Sequence, residues 1–166
     1  AVASLALARA QEASGDMATA EPAYRGALAD PALKLSASLG LARLLRRTGR
    51  AAEAEPLVRA VIEAQPGIIE AYKESARIQL ALDRPEEALA EATLAAVMAE
   101  GDAEAQRLRD ECAVAKAVQL AGRGQGSYAL PELERLIGES AQPAGLWVGV
   151  GRVRIIQRQA TEALAA

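Results

Sequence analysis

The sequence predicts an all-α fold built from repeated helical hairpins, and three observations predict it. Ala8, Ala42 and Ala76 are 34 residues apart (42−8 and 76−42), and so are Ala20, Ala54 and Ala88 (54−20 and 88−54). Two small-residue positions that share one period mark a stack of like units; a single globular core has no reason to produce them. The apolar content, 51% of 166 residues, is mostly Ala and Leu, with 2% aromatics and no Phe. These are the strongest helix formers, and Ala-rich surfaces bury a continuous core only where helices approach closely. Finally, Gly and Pro fall where helices should stop.

Helical spacing runs over 2–14 and stops at Gly15-Asp16; a second run, 18–29, stops at Asp30-Pro31. The next runs are 33–47, broken near Gly49, and 51–64, closed by Pro66-Gly67. Then come 68–81, a turn at Asp83-Arg84, and 85–99, ended near Gly101. Six helices joined by short turns make three hairpins. Pro22, Pro56 and Pro131 each follow a small Ala by two residues (Ala20, Ala54, Ala129). Pro is tolerated in a first turn, where amides lack partners, so these helices are expected to begin at or just before Ala18, Glu53 and Tyr128.

The fourth unit is irregular. Val114-Ala115…Val118 repeats the first-helix pattern, but Ala115 comes 39 residues after Ala76 (115−76). The helix that starts near Ala103 is therefore expected to be longer by more than a turn. A Gly-rich stretch, Gly122 to Ser127, reads as a flexible connector, since Gly clusters between periodic segments are loops. Its Gly122-x-Gly124-x-Gly126 spacing is similar to that of phosphate-binding loops, but no strand precedes it and no Lys follows. Ala129 to Ala163 is again 34 (163−129), so a new helix is expected to begin in the final ATEALAA.

These residues resemble the tetratricopeptide repeat (TPR) family. Its first-helix signature is matched by Leu7-Ala8…Gln11, Leu41-Ala42…Leu45 and Ser75-Ala76…Gln79. Its second-helix signature is matched by Ala20…Tyr24…Ala27…Pro31, Ala54…Val58…Val61…Pro66 and Ala88…Ala92…Ala95. Trp147…Val150-Gly151 matches the family's opening, with Trp147 expected to pack between consecutive helices. The resemblance covers essentially the whole chain. It implies a right-handed superhelical solenoid of stacked antiparallel helix pairs, about four and a half repeats in one array. The units are about 1–34, 35–68, 69–102, 103–143 (irregular) and 144–166 (truncated). Both ends of the sequence read as cuts in a longer protein.

The resemblance implies a concave groove lined by the first helix of each pair. The residue after the small one should face it: Arg9, Arg43, Arg77, Lys116 and Arg152, basic in all five units of a chain with net charge −3. Leu5, Leu39, Arg46, Lys73, Glu12, Glu70, Cys112 and Val148 are groove neighbours at helical spacing. A basic ladder with apolar steps suits a peptide with acidic side chains or a free C-terminal carboxylate, which guanidinium grips bidentately. The bland alternative is a solvated surface on which Arg9 pairs with Glu12 and Arg77 with Glu74. The family's two-carboxylate clamp uses groove Asn, and this chain has none.

The expected function is a protein–protein interaction scaffold; the competing reading is self-association through exposed end helices. Enzyme chemistry is not expected: there is no His, no Cys pair and no convergent carboxylate pair, so no cofactor or metal is implied. Cys112 reads as a structural thiol. A pI near 5.2 argues against nucleic acid as the partner, and no window approaches the roughly 18 unbroken apolar residues of a membrane span. The absence of His, Asn and Phe with only three Lys fits a GC-rich, hence bacterial, genome, with a cytoplasmic or periplasmic site equally compatible.

Overall fold

A computed structural model of the chain describes residues 2–140 and 142–165. Among them are nine α-helices and no strand. They are α1 (Val2–Ala13), α2 (Met17–Ala27), α3 (Lys34–Arg47), α4 (Ala51–Ala64), α5 (Ile69–Ala81), α6 (Pro85–Met98), α7 (Ala103–Gly122), α8 (Gly126–Glu139) and α9 (Ala144–Ala165). No described helix is long and apolar enough to cross a membrane. The helices form two compact units, Ala1–Leu82 and Asp83–Ala166, which meet in sequence at the turn after α5.

In the first unit, α1 packs on α2 and α3 on α4, while α5 packs on both α3 and α4. The second helices bury one residue pattern at i, i+4 and i+7, the stripe of a half-covered helix. It reads Ala20, Tyr24 and Ala27 on α2, then Ala54, Val58 and Val61 on α4. Ala8 and Ala42 are fully buried opposite them. Close approach is enforced at Gly40, where any Cβ would run into the ring of Tyr24. That ring is fully buried and has nowhere to move.

The second unit repeats the stripe as Ala88, Ala92 and Ala95 on α6 and as Ala129, Leu133 and Leu136 on α8. The three helix-interior prolines, Pro22, Pro56 and Pro131, are each the sixth residue of their helix (22−16, 56−50, 131−125). The helices α2, α4 and α8 start at Met17, Ala51 and Gly126, one or two residues before Ala18, Glu53 and Tyr128, so each ring falls in the second turn rather than the first. The carbonyls four residues back belong to Ala18, Ala52 and Ser127, all exposed residues, where solvent rather than the ring is available as a donor.

Helix α7 explains the irregular unit. Small residues of one hairpin are 12 apart in the regular repeats (20−8, 54−42, 88−76), and 12 residues before Ala129 lies Ala117, not Ala115. Ala117 is buried and Ala115 half-exposed. From Ala76 to Ala117 is 41 residues, which is 34 plus 7, and α7 has 20 residues against 13 in α5. Seven residues are about two helical turns, so the insertion leaves each face pointing where it did. The half following α6 keeps the old spacing: Ala105 and Cys112 stand 34 after Ala71 and Ile78 (105−71, 112−78), and all four are buried. The other half buries Ala113, Ala117 and Ala121 in a cluster with α8 and α9.

Two expectations fail here. The Gly-rich stretch is not a loose connector: only Arg123 to Gln125 separate α7 from α8, and Gly126 and Ser127 are already helical. The turn is closed by Gly124 N–H to the Ala121 carbonyl and Gln125 N–H to the Leu120 carbonyl (3.0 and 2.8 Å). Gly124 takes φ +78°, which glycine adopts without steric cost. Nor does a new helix start in ATEALAA. Helix α9 runs unbroken for 22 residues, because nothing after Gly151 interrupts a run of good helix formers. The spacing from Ala129 to Ala163 is coincidental.

Candidate functional site

Each unit carries a cleft between first helices. In the first unit it holds about 540 Å³ and is lined by Arg9, Glu12 and Ala13 of α1, Ser36, Leu39, Gly40, Arg43 and Arg47 of α3, and Glu70 of α5. Its chemistry is dominated by a carboxylate that sequence spacing alone leaves on the surface. Glu12 is only 6% exposed. Arg43 grips it bidentately, Nε to Oε1 and Nη2 to Oε2, both at 2.8 Å. The Tyr24 hydroxyl donates to Oε2 at 2.7 Å, and Arg47 Nη1 to Oε1 at 3.2 Å. The Arg43 hydrogen bonds outweigh burial and hold the Glu12 carboxyl down at about 2. Burial and the bond to Glu12 push the Tyr24 hydroxyl up to about 12, so it stays a donor.

The next layer repeats the device with the sign reversed along the chain. Arg46 Nε donates to Glu74 Oε1 at 2.6 Å, and Arg77 Nη1 lies 3.7 Å from both Glu74 Oε2 and Glu70 Oε1. Lys73 Nζ sits 3.1 Å from Glu70. Glu74 and Lys73 are buried. Arg43, Arg46, Arg47, Lys73 and Arg77 are therefore already engaged by Glu12, Glu70 and Glu74. Arg9 is the exception: it is exposed and has no ion pair among the described residues. The expected Arg9–Glu12 pair does not form, because α3 delivers Arg43 to that carboxylate instead.

In the second unit the cleft lies between α7 and α9 and holds about 620 Å³. Its floor is apolar: Val114, Ala115 and Val118 from α7, with Ala144, Gly145 and Val148 from α9. The helices touch at Gly149, where a Cβ would meet Val114 Cγ2 at 2.6 Å. Arg107, Asp110, Glu111, Gln142 and Arg152 complete the lining. Asp110 is buried and satisfied, accepting from Arg109 (2.9 Å) and the Ser140 hydroxyl (2.8 Å). Arg107 Nε donates to the Ala103 carbonyl. Arg152 is exposed with no ion pair among the described residues.

The remaining sequence-predicted residues are placed as follows. Leu39 lines the first cleft and Val148, 57% exposed, the second. Leu5 is buried in the first unit's core. Lys116 lies beside α8, 3.4 Å from Glu132. It follows Ala115, which is not the buried small residue; the residue after Ala117 is Val118. Cys112 is fully buried in α7. Trp147 is 56% exposed rather than packed between helices. Its position corresponds to Ser38, which is buried on α3 (147−38 and 151−42 are both 109). Among the described residues no following helix covers that side of α9, and Gly151 is exposed there as well.

No protein-family model matches the chain, and no curated protein matches it in sequence. Solved structures do match in fold. A thermophilic TPR protein of Thermus thermophilus is 20% identical, with a TM-score of 0.63 over 98% of this chain and 89% of that one. A tetratricopeptide repeat protein of Parabacteroides merdae is 17% identical, with a TM-score of 0.60 over 98% and 75%. The chain has the helical-repeat fold of TPR proteins, as its 34-residue spacing implied.

Proposed function

We propose that this chain is a protein-interaction scaffold that docks a peptide or helical segment of a partner against the first helices of its repeats. Acidic side chains or a terminal carboxylate on that segment suit it best. The observation that carries the reading is the pair of exposed arginines, Arg9 and Arg152, each lining a cleft and each without an ion pair among the described residues. The internally held arginines contribute shape and net charge rather than free valence. Reversing Arg43 or Arg77 would set a new carboxylate against Glu12 or Glu74 and disturb the fold. The informative variants are Arg9→Glu and Arg152→Glu, which break no internal pair.

Fluorescence anisotropy with labelled peptides rich in Leu and Glu tests the reading. Charge reversal at both sites should weaken binding at least about tenfold, with a steeper loss at low salt. Unchanged affinity would sink it.

Self-association is the second reading. It is favoured by exposed apolar residues on α1 (Val2, Leu7) and on α9 (Trp147, Ile155). Under it, sedimentation of the Trp147→Lys variant shows a smaller mass than wild type.

A further inference from the structure

The regular hairpins and the lengthened one do not build the same groove. Counted back from α8 by the 41-residue offset, α5 (Ile69–Ala81) corresponds to Asp110–Gly122 (69+41, 81+41), so relative to that hairpin the first two turns of α7 are extra. Those turns supply Arg107 and lead into the wall that faces the start of α9. From Arg107 to Val118 the wall rises through 11 residue steps (118−107), roughly 16 Å of helix. Along it lie Val114, Ala115 and Val118, and across from it Ala144, Gly145 and Val148. The small residues opposite the valines keep the groove open. The first unit's cleft differs: it is crossed by the Glu12–Arg43 pair.

Charge gives this groove a polarity. Arg107 shares its wall with Glu111 one turn further on, so a carboxylate near that end meets both signs. Arg152 comes seven residues after Gly145 and one turn after Val148 on α9, beside the apolar floor. Asp110, the other acid in the lining, is occupied by Arg109 and Ser140. An incoming carboxylate is thus drawn to Arg152, and the side chains next to it fall on the valines.

We propose that the α7–α9 groove, opened by the two-turn extension of α7, is the anchoring subsite for a peptide segment in which an acidic side chain adjoins apolar ones: the acid pairs with Arg152 and the apolar side chains cover Val114, Val118 and Val148. This rests on the scaffold reading above and places its principal contact in the second unit.

The test uses the 166-residue chain and two blocked, fluorescein-labelled ten-residue peptides. Both are built of leucine and alanine; one has a central glutamate, the other glutamine. The glutamate peptide should bind at least about tenfold more tightly. Arg152→Ala should remove that difference while leaving the glutamine peptide's affinity unchanged. Val148→Asp should abolish binding of both, with the circular dichroism and melting curve of each variant unaltered. A glutamate preference that survives Arg152→Ala overturns the assignment. So does decanoate displacing the peptide at equal or lower concentration, since an acyl carboxylate would then be the occupant. If Arg9→Glu removes peptide binding and Arg152→Ala does not, the scaffold reading stands and this subsite fails. If neither peptide binds, both fail.

Discussion

The two units of this molecule obey the same spacing rules yet treat charge in opposite ways. In the first, parallel first helices exchange carboxylates and guanidinium groups, Glu12 with Arg43 and Arg47 and Glu74 with Arg46, and Arg77 adds a pair to Glu74 within α5. Both of these acids are buried, and of the arginines lining that cleft Arg9 alone has no ion pair among the described residues. In the second, the corresponding faces are lined with Val, Ala and Gly, and the arginine at the edge has no ion pair among the described residues. The difference teaches that a repeat fixes where small residues must lie and little else. Once Ala8, Ala42 and Ala117 seat the helices, the groove-facing positions are free to become internal struts or ligand contacts.

If the buried apolar core is the shared part, removing it should hurt both units alike. Leu41 and Leu133 are each fully buried in their own cluster. Leu41→Ala and Leu133→Ala should each cost about 2–5 kcal/mol, the transfer loss plus the cavity left behind. Urea unfolding gives the totals, and hydrogen exchange resolved by peptide shows which helices lose protection. A Leu133→Ala cost well below that of Leu41→Ala would break the comparison, because the second unit would then depend on something other than its buried apolar core.

Most of the architecture was legible because it depends on residues that have no substitute. Ala at 34-residue spacing and Gly or Pro at the breaks gave the hairpins to within one or two residues. The two-turn extension was half legible. The anomaly was visible as a 39-residue gap, but Ala115 is a decoy; the 12-residue hairpin spacing back from Ala129 picks Ala117. The groove was less legible, because an arginine's exposure depends on which acid the neighbouring helix delivers. One signal was present. Glu12 and Arg46 are one repeat apart (46−12), so parallel helices bring Glu12 level with α3 near Arg43 and Arg47. Local pairing on one helix holds for Arg77 with Glu74 but was the wrong frame for Arg9 with Glu12. Trp147 misled for a related reason: its motif is right, but no covering helix stands among the described residues.

The charge contrast predicts an acid-sensitive first unit. The Glu12 carboxyl is held at about 2 in the folded chain against an ordinary value of 4.5, while Arg43 is raised and stays charged. A depressed carboxyl contributes stability that is fully present above the unfolded value and lost as pH falls through the folded one. The window therefore runs from about pH 4.5 down to about pH 2. The contribution is about 2 kcal/mol once the half-exposed Arg43 is allowed for. Glu12→Gln mimics the neutral acid, so the stability gap between wild type and variant should close across that window. Urea titrations followed by circular dichroism at about pH 5, about 3.5 and about 2 span it and measure the gap. A gap that stays constant would mean the buried carboxylate is not titrating, and the charge contrast between the units would lose its energetic content.

The smallest effects sharpen the comparison at the helix starts. Asp16 caps α2 through one backbone donor, Thr19 N–H at 3.2 Å. Asp102 caps α7 through two, Glu104 N–H at 2.8 Å and Ala105 N–H at 3.4 Å. The extended helix is thus pinned more firmly at its start than the regular one. Asp16→Ala should cost about 0.5–1 kcal/mol and Asp102→Ala somewhat more, within the usual range for caps. Asp→Asn at either site keeps the acceptor and removes only the charge that favours the positive end of the helix dipole, so it should cost a few tenths of a kcal/mol. Urea unfolding of the four variants measures the differences. If Asp102→Ala costs no more than Asp16→Ala, the second donor contributes nothing. The extra turns of α7, and with them the wall of the α7–α9 groove, would then be held by packing on α6 alone.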